Sequence, residues 1–312
     1  MIYGIKENKS FENVIFTYVV DSDDALNDWA ENKAGNDYSC VLIKSGSWTC
    51  TKNLNLTNCG TKIVIGEADS KLIFNISETS IATAILYSEL PEIAEHFMFN
   101  VHVVCNRAGN AIGFNLCVNL YNCSAEVNGG RASGFYKCEN VINCVAKCNA
   151  TESEYSASFY FSNGLNNCIA YATAQEGTAY GFSKCEKLNN CKVAELSSNV
   201  KVCAFNTCNV CVGCSFENDV TYPAVNGFFG CKKLFACISV GNGNTEGYAF
   251  YGCTYMDACE ASGNYGYYNC SGIKNCIAKT TTTAKAYNTS ANLGDYNASY
   301  AYANTPEGGF NV

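Results

Sequence analysis

The chain has 312 residues, 48% of them hydrophobic, and a formal net charge of −8 at pH 7. Only two of its 20 basic residues are arginine, Arg107 and Arg131, so it lacks the basic stripe that a nucleic-acid surface needs. No apolar run reaches the length of a membrane span, and residues 1–8 lack the apolar segment of a secretion signal. The expectation is cytosolic synthesis without a membrane span, with virion or surface association only after release.

Residues 14–20 read as a first strand. Asp21 and Ser22 then cap a short helix, with Asp23 and Asp24 in its first turn, where the helix dipole favours acids. Ala25, Leu26, Trp29 and Ala30 make its apolar face, and Gly35 its stop. Short strands follow over residues 40–44, 47–50, 62–66 and 71–74, with Leu54 and Leu56 alternating between them. Residues 77–96 interrupt the pattern, with 88–91 as a loop or short helix. Phe97, Phe99, Val101, Val103 and Cys105 alternate with period two, which turns Met98, Asn100, His102 and Val104 the other way.

From residue 113 onward one frame recurs. Its clearest copy runs from Gly181 and Phe182 through Cys185 and Leu188 to Asn190 and Cys191. The copies start at Gly113, Gly134, Ser158, Gly181, Ala204, Gly227, Ala249 and Gly266, in steps of 17 to 24 residues. A period near 22 residues is the size of one β-helix coil. The fold class is therefore all-β: a single-stranded right-handed parallel β-helix with a short N-terminal α-helical cap. A left-handed solenoid would show a hexapeptide period, and none is visible. The chain divides into an N-terminal strand and capping helix (1–35), irregular first coils (36–112), eight framed coils (113–279), and a C-terminal coil or tail (280–312).

Coils stacked at strand spacing, about 4.8 Å, set equivalent side chains above one another as ladders. The aromatic ladder is Phe114, Phe135, Phe159, Phe182, Phe205, Phe228 and Phe250, with Tyr267 after them. The first cysteine ladder is Cys117, Cys138, Cys185, Cys208, Cys231, Cys253 and Cys270, with Ser162 in the one gap. The second is Cys123, Cys144, Cys168, Cys191, Cys214, Cys237, Cys259 and Cys276. Cysteine acts here as a small, polarisable hydrophobe. Side chains in register have nearly parallel Cα–Cβ bonds, whereas a disulfide needs a dihedral near 90°, so free thiols are expected. Serine at Cys191 would bury a hydroxyl among apolar neighbours and is expected to cost about 1–3 kcal/mol.

Cys208, Cys211 and Cys214, with Cys203 before them, have the spacing of an iron–sulfur ligand run. The register speaks against it, because Cys208 and Cys214 are ladder positions and Cys211 takes the slot of Leu188 and Leu234. No metal and no cofactor is expected. Asn122, Asn143, Asn167, Asn190 and Asn275 precede the second cysteine, where asparagine tolerates a left-handed corner. The functional alternative is a polar ligand row.

The entry to the chain resembles that of pectin-lyase-like right-handed β-helices, many phage tailspikes among them. The matching residues are Asp24, Ala25 and Leu26, then Val41 to Trp48, then Ile63 to Gly66. The framed coils look like the Cys- and Asn-rich coils of phage or bacterial surface repeat proteins. The resemblance implies the fold and a choice between two functions. Some relatives cleave polysaccharides with paired carboxylates, or with Arg or Lys and bound Ca²⁺. Candidate pairs here are Glu152 with Glu154, Glu217 with Asp219, and Asp257 with Glu260, none singled out by its spacing. His96 and His102 lie outside the frame.

The variable segments also carry Tyr155, Tyr160, Tyr171, Tyr180, Tyr222, Tyr248, Tyr251, Tyr255, Tyr265 and Tyr268. An amphipathic aromatic face suits sugar rings or another protein, and the plainer alternative is ordinary sheet cover. Tyr155, Tyr171, Tyr222 and Tyr248 are expected to line one side of the rod as the binding surface. The preferred function is a non-enzymatic binding or structural protein of the tail-fibre or surface-adhesin kind, recognising a glycan or itself. The alternative is a polysaccharide lyase or glycoside hydrolase on the same fold.

Overall fold

The computed structural model describes residues 14–56, 59–77, 81–87, 96–152, 155–217, 222–241, 243–280, 286–288, 290–293, 297–301 and 310–311. It is a parallel β-helix of about ten turns with one short helix. Each framed coil contributes one strand to each of three sheets. In the fourth framed coil these are Thr178–Ser183 in sheet C, Glu186–Asn189 in sheet A and Lys192–Ser198 in sheet B. Sheets A and B have 13 strands each and sheet C has 10. Among the described strands every pairing is parallel except the last, where Ala298–Ala301 meets Phe310–Asn311 antiparallel.

The ladders are present and buried. Successive rings from Phe114 to Tyr267 stack with centroids 4.4–5.1 Å apart and planes within 14° of parallel. Tyr287 continues the column at 5.1 Å. All 22 cysteines are free thiols, and all but Cys59 are buried.

The corners hold the coil together. The chain turns at each cysteine, and inter-coil backbone hydrogen bonds continue round the bend. Lys184 N–H donates to the Asn206 carbonyl at 2.8 Å, and Asn190 N–H to the Val212 carbonyl at 2.9 Å. Thiols complete the pattern. Cys231 Sγ accepts from the Cys208 N–H at 3.4 Å and donates to the Phe205 carbonyl at 3.3 Å. Ser162 Oγ does the same between the Cys138 N–H, 3.1 Å, and the Phe135 carbonyl, 3.2 Å. Beyond the frame, Ser290 Oγ and Asn297 Oδ1 accept from Cys270 N–H and Cys276 N–H.

The ladder thiol is therefore a hydrogen-bonding group as well as filler. This corrects the expected cost of serine, because a hydroxyl at such a corner finds both partners. Cys231→Ser is expected to change stability by less than about 1 kcal/mol, whereas Cys231→Ala strands the buried Cys208 N–H, leaves the Phe205 carbonyl only the 3.8 Å contact from Cys203 Sγ, and costs about 1–3 kcal/mol. Denaturant midpoints of the two variants check this. Equal losses would sink the hydrogen-bonding role.

The asparagine corner is left-handed as expected, with φ between 49° and 53° at Asn122, Asn143, Asn167, Asn190 and Asn275. Two further left-handed positions per coil were not legible. One precedes the first cysteine, as at Lys184 (φ 55°) and Thr207 (φ 51°), and one lies two residues after it, as at Lys187 (φ 53°) and Val210 (φ 59°).

Three expectations about the first coils change. The helix, Asp23–Glu31, is capped by Ser22 and buries Leu26, Trp29 and Ala30, but it ends at Asn32 in the left-handed region, before Gly35. The period-two run from Phe97 breaks at Asn100 (φ 56°). Met98 points into the core while Phe97 and Phe99 are half-exposed; beyond the corner Val101, Val103 and Cys105 are buried. Met98 and Phe99 pair with Leu120 and Tyr121, so the frame begins one coil early. Residues 88–91 and most of the tail lie outside the described residues. Ala291–Leu293 and Ala298–Ala301 nevertheless add strands to sheets A and B, so the chain forms a coil after residue 280.

Candidate functional site

The outer face of sheet C carries the aromatics. Two rows of positions build it, one just after the ladder phenylalanine and one two residues before it. The first row reads Tyr136, Tyr160, Ser183, Asn206, Phe229, Tyr251 and Tyr268 in register. The second reads Ala157, Tyr180, Cys203, Asn226, Tyr248 and Tyr265. The rings gather into two platforms. Tyr155 touches Tyr160 and Tyr180 at centroid distances of 5.4 and 6.2 Å, and Phe161 packs on Tyr160 at 4.5 Å. Four coils' worth of rise away, Tyr248 packs on Tyr251, Tyr265 and Tyr268 at 4.9–5.1 Å, and Phe229 stacks on Tyr251 at 5.0 Å. Between the platforms the rows turn polar, with Asn206 Nδ2 donating to Ser183 Oγ at 3.0 Å.

Cations ride on these rings. Arg131 lies 4.6 Å from the Tyr155 centroid, Lys184 4.8 Å from Phe161 and Lys201 4.8 Å from Phe229. Such contacts are worth about 0.5–1 kcal/mol at exposed sites and hold the side chains against the sheet. Beside the second platform is a pocket of about 130 Å³ lined by Lys201, Ala224, Asn226, Phe229, Tyr248 and Tyr251. A water's share of liquid volume is about 30 Å³, so the pocket holds several waters or a ring-sized group. Asn226, on the pocket wall, is only 4% exposed.

The expected binding tyrosines do not share one surface. Tyr155 and Tyr248 are both on sheet C, but two positions apart in register and on different platforms. Tyr171 is on sheet B, between Lys147 and Glu195, with the Lys147 ammonium 5.6 Å from its ring. Tyr222 opens the sheet C strand Tyr222–Phe229, and its side chain lies outside the described residues. Position counted from the second cysteine misleads, because a whole sheet B strand of variable length lies between that cysteine and sheet C. Lys201, Asn226 and Phe229 were not singled out. The signal for Phe229 was in the frame, since the position after the ladder ring is aromatic in Tyr136, Tyr160, Phe229, Tyr251 and Tyr268.

The other candidates are tied down structurally. Asp257 accepts from Asn275 Nδ2 at 2.8 Å, and Glu260 pairs with Lys279. Glu154 and Asp219 lie outside the described residues. His96 Nδ1 sits 2.8 Å from the Thr61 carbonyl, its ring on Tyr87. His102 lies between Ser124 Oγ and Asn100 Oδ1, and burial lowers its pKa. Cys211 takes the slot between Leu188 and Leu234. Among the described residues no group of three or more His, Cys, Asp or Glu side chains is set to hold a metal ion. Asparagine ladders also run on the outside, as from Asn75 through Asn106 and Asn128 to Asn149, each amide bonded to the next at 2.8–3.1 Å. Their amides satisfy one another, which marks them as structural.

No helix among the described residues is long and apolar enough to cross a membrane. The chain matches no protein-family model, no curated protein and no solved structure.

Proposed function

We propose that this chain is a non-enzymatic binding protein of the tail-fibre or surface-adhesin kind, acting on the outside of a virion or cell, and that the outer face of sheet C holds a glycan. The observation that carries the reading is the pairing of half-exposed tyrosine and phenylalanine rings with a pocket lined by Lys201 and Asn226. Flat amphipathic rings offer the apolar faces of sugars a stacking surface, and their hydroxyls offer hydrogen bonds at the edge. Placing these groups on a rigid sheet limits the ordering cost of binding. A solenoid allows the arrangement, because its stability rests on the inward ladders and leaves outward positions free.

A glycan array probed with the full chain tests the reading. Tyr248→Ser together with Tyr251→Ser is expected to weaken the best-bound glycan by roughly 10- to 100-fold, at about 0.5–1.5 kcal/mol for each stacking contact. Tyr171→Ser, on sheet B, is expected to leave binding unchanged. Loss at Tyr171 with retention at the double variant would move the site to the other sheet. Association of the chain with itself, seen by sedimentation and abolished by the same double variant, would name a second copy as the occupant.

A further inference from the structure

We infer that the group bound in the Lys201–Asn226 pocket is anionic, a carboxylate or sulfate of an acidic sugar. The inference rests on reading sheet C as the glycan face and specifies the class of glycan. The chain as a whole is acidic, at −8. Cations nevertheless gather by its aromatic rings: Arg131 and Lys201 on sheet C, and Lys137 and Lys184 at the corner that follows it. Among the described residues the pocket lining holds one cation, Lys201, and no carboxylate. The ammonium is held over the Phe229 ring at the pocket edge.

The second element is Asn226. It lines the pocket beside Lys201, and an amide can donate or accept a hydrogen bond there. With Nδ2 turned to the ligand, the amide and the Lys201 ammonium together offer donors to one acceptor-rich group. A carboxylate or sulfate has several acceptor oxygens and a charge that matches the lysine. A neutral hydroxyl would satisfy the amide and leave the lysine unused. Phe229, Tyr248 and Tyr251 then wall the ring that bears the charged group.

The test uses the full chain and calorimetric titration. The probes are hexuronate oligosaccharides, O-sulfated oligosaccharides, and the carboxyl-reduced and desulfated forms of the same chains. One acidic series is expected to bind about tenfold or more tighter than its neutral form, as a charge-assisted hydrogen bond would give. Lys201→Gln is expected to erase that margin and to leave the affinity for the neutral form in place. Asn226→Ala is expected to weaken the acidic series too, with thermal melting as the check that the fold is kept. The series that responds tells carboxylate from sulfate. If neutral and acidic chains bind alike, or the margin survives Lys201→Gln, the acidic assignment falls and the glycan reading stands. If none of these chains nor any other glycan binds, both fall.

Discussion

Stability should fall steeply as the pH rises above 9. The buried thiols are the cause. Burial pushes Cys105 up to about 11 and Cys148 to about 12, and drives Cys117, Cys144, Cys168, Cys185 and Cys231 well above their ordinary value of 9.0. Thiols one rung apart act on one another, and although burial raises Cys191, Cys208 and Cys253 as well, their neighbours draw these three below the ordinary value, so a stack titrates as a unit. The sign follows from linkage. The folded chain keeps these protons at a pH where the unfolded chain has released them, so the fold is fully favoured below the unfolded thiol pKa and weakens as pH climbs towards the folded one. Each such thiol takes away about 1.4 kcal/mol per pH unit, and a handful together exceeds the 5–15 kcal/mol that typically holds a domain. Buried Tyr87 and Tyr267, also raised, add in the same direction. Denaturant midpoints are expected to be level from pH 6 to 8 and to drop from about pH 9 to 11. Serine at both Cys185 and Cys231 should reduce the slope by roughly two protons, because serine does not titrate there. A profile level through pH 11, or a slope indifferent to those replacements, would overturn the account.

Phe182→Ala is expected to cost about 3–5 kcal/mol, the range for emptying a buried aromatic site. Phe182 stacks on Phe159 at 4.8 Å and on Phe205 at 5.1 Å, so truncation opens a gap in the middle of a continuous column. In a solenoid each coil packs only on its neighbours, so the column cannot close from the side. Phe182→Leu should cost less, because Ile85 already fills this slot in register with Phe114. Tyr255→Ser, at a residue 69% exposed on sheet A, is the control and should stay within about 0.5 kcal/mol. Thermal melts of the three variants rank them. Similar losses at Phe182 and Tyr255 would show that the column does not carry the core.

The repeat was legible because a stacked coil repeats its inward contacts, so identical residues recur wherever a side chain faces the axis. Phe182, Cys185, Leu188 and Cys191 are all of this kind, and all four are buried. The asparagine corners were legible because asparagine is one of the few residues that takes a left-handed conformation cheaply. Lys187, Thr207 and Val210 have no such preference. Their backbone is held left-handed by hydrogen bonds between coils, a cause that lies in neighbouring turns and leaves no mark on the residue itself. The phase change at Asn100 was missed for a related reason: a corner uses one residue and resets the in-and-out alternation on either side.

The amino-acid sequence by itself determined the coil, its ladders, the free thiols and the capping helix, since these depend on residues whose neighbours are copies of themselves. The candidate site was decided by tertiary structure. Lys201, Asn226 and Phe229, with Tyr248 and Tyr251, come from three successive coils and meet only because parallel register sets those coils side by side. Outward positions do not have to match from turn to turn, so no repeat announces them, and Tyr171 and Tyr248 look alike along the chain while facing different ways. What a residue touches on the outside of this rod depends on its sheet and its register, and both are set by how many residues each corner consumes.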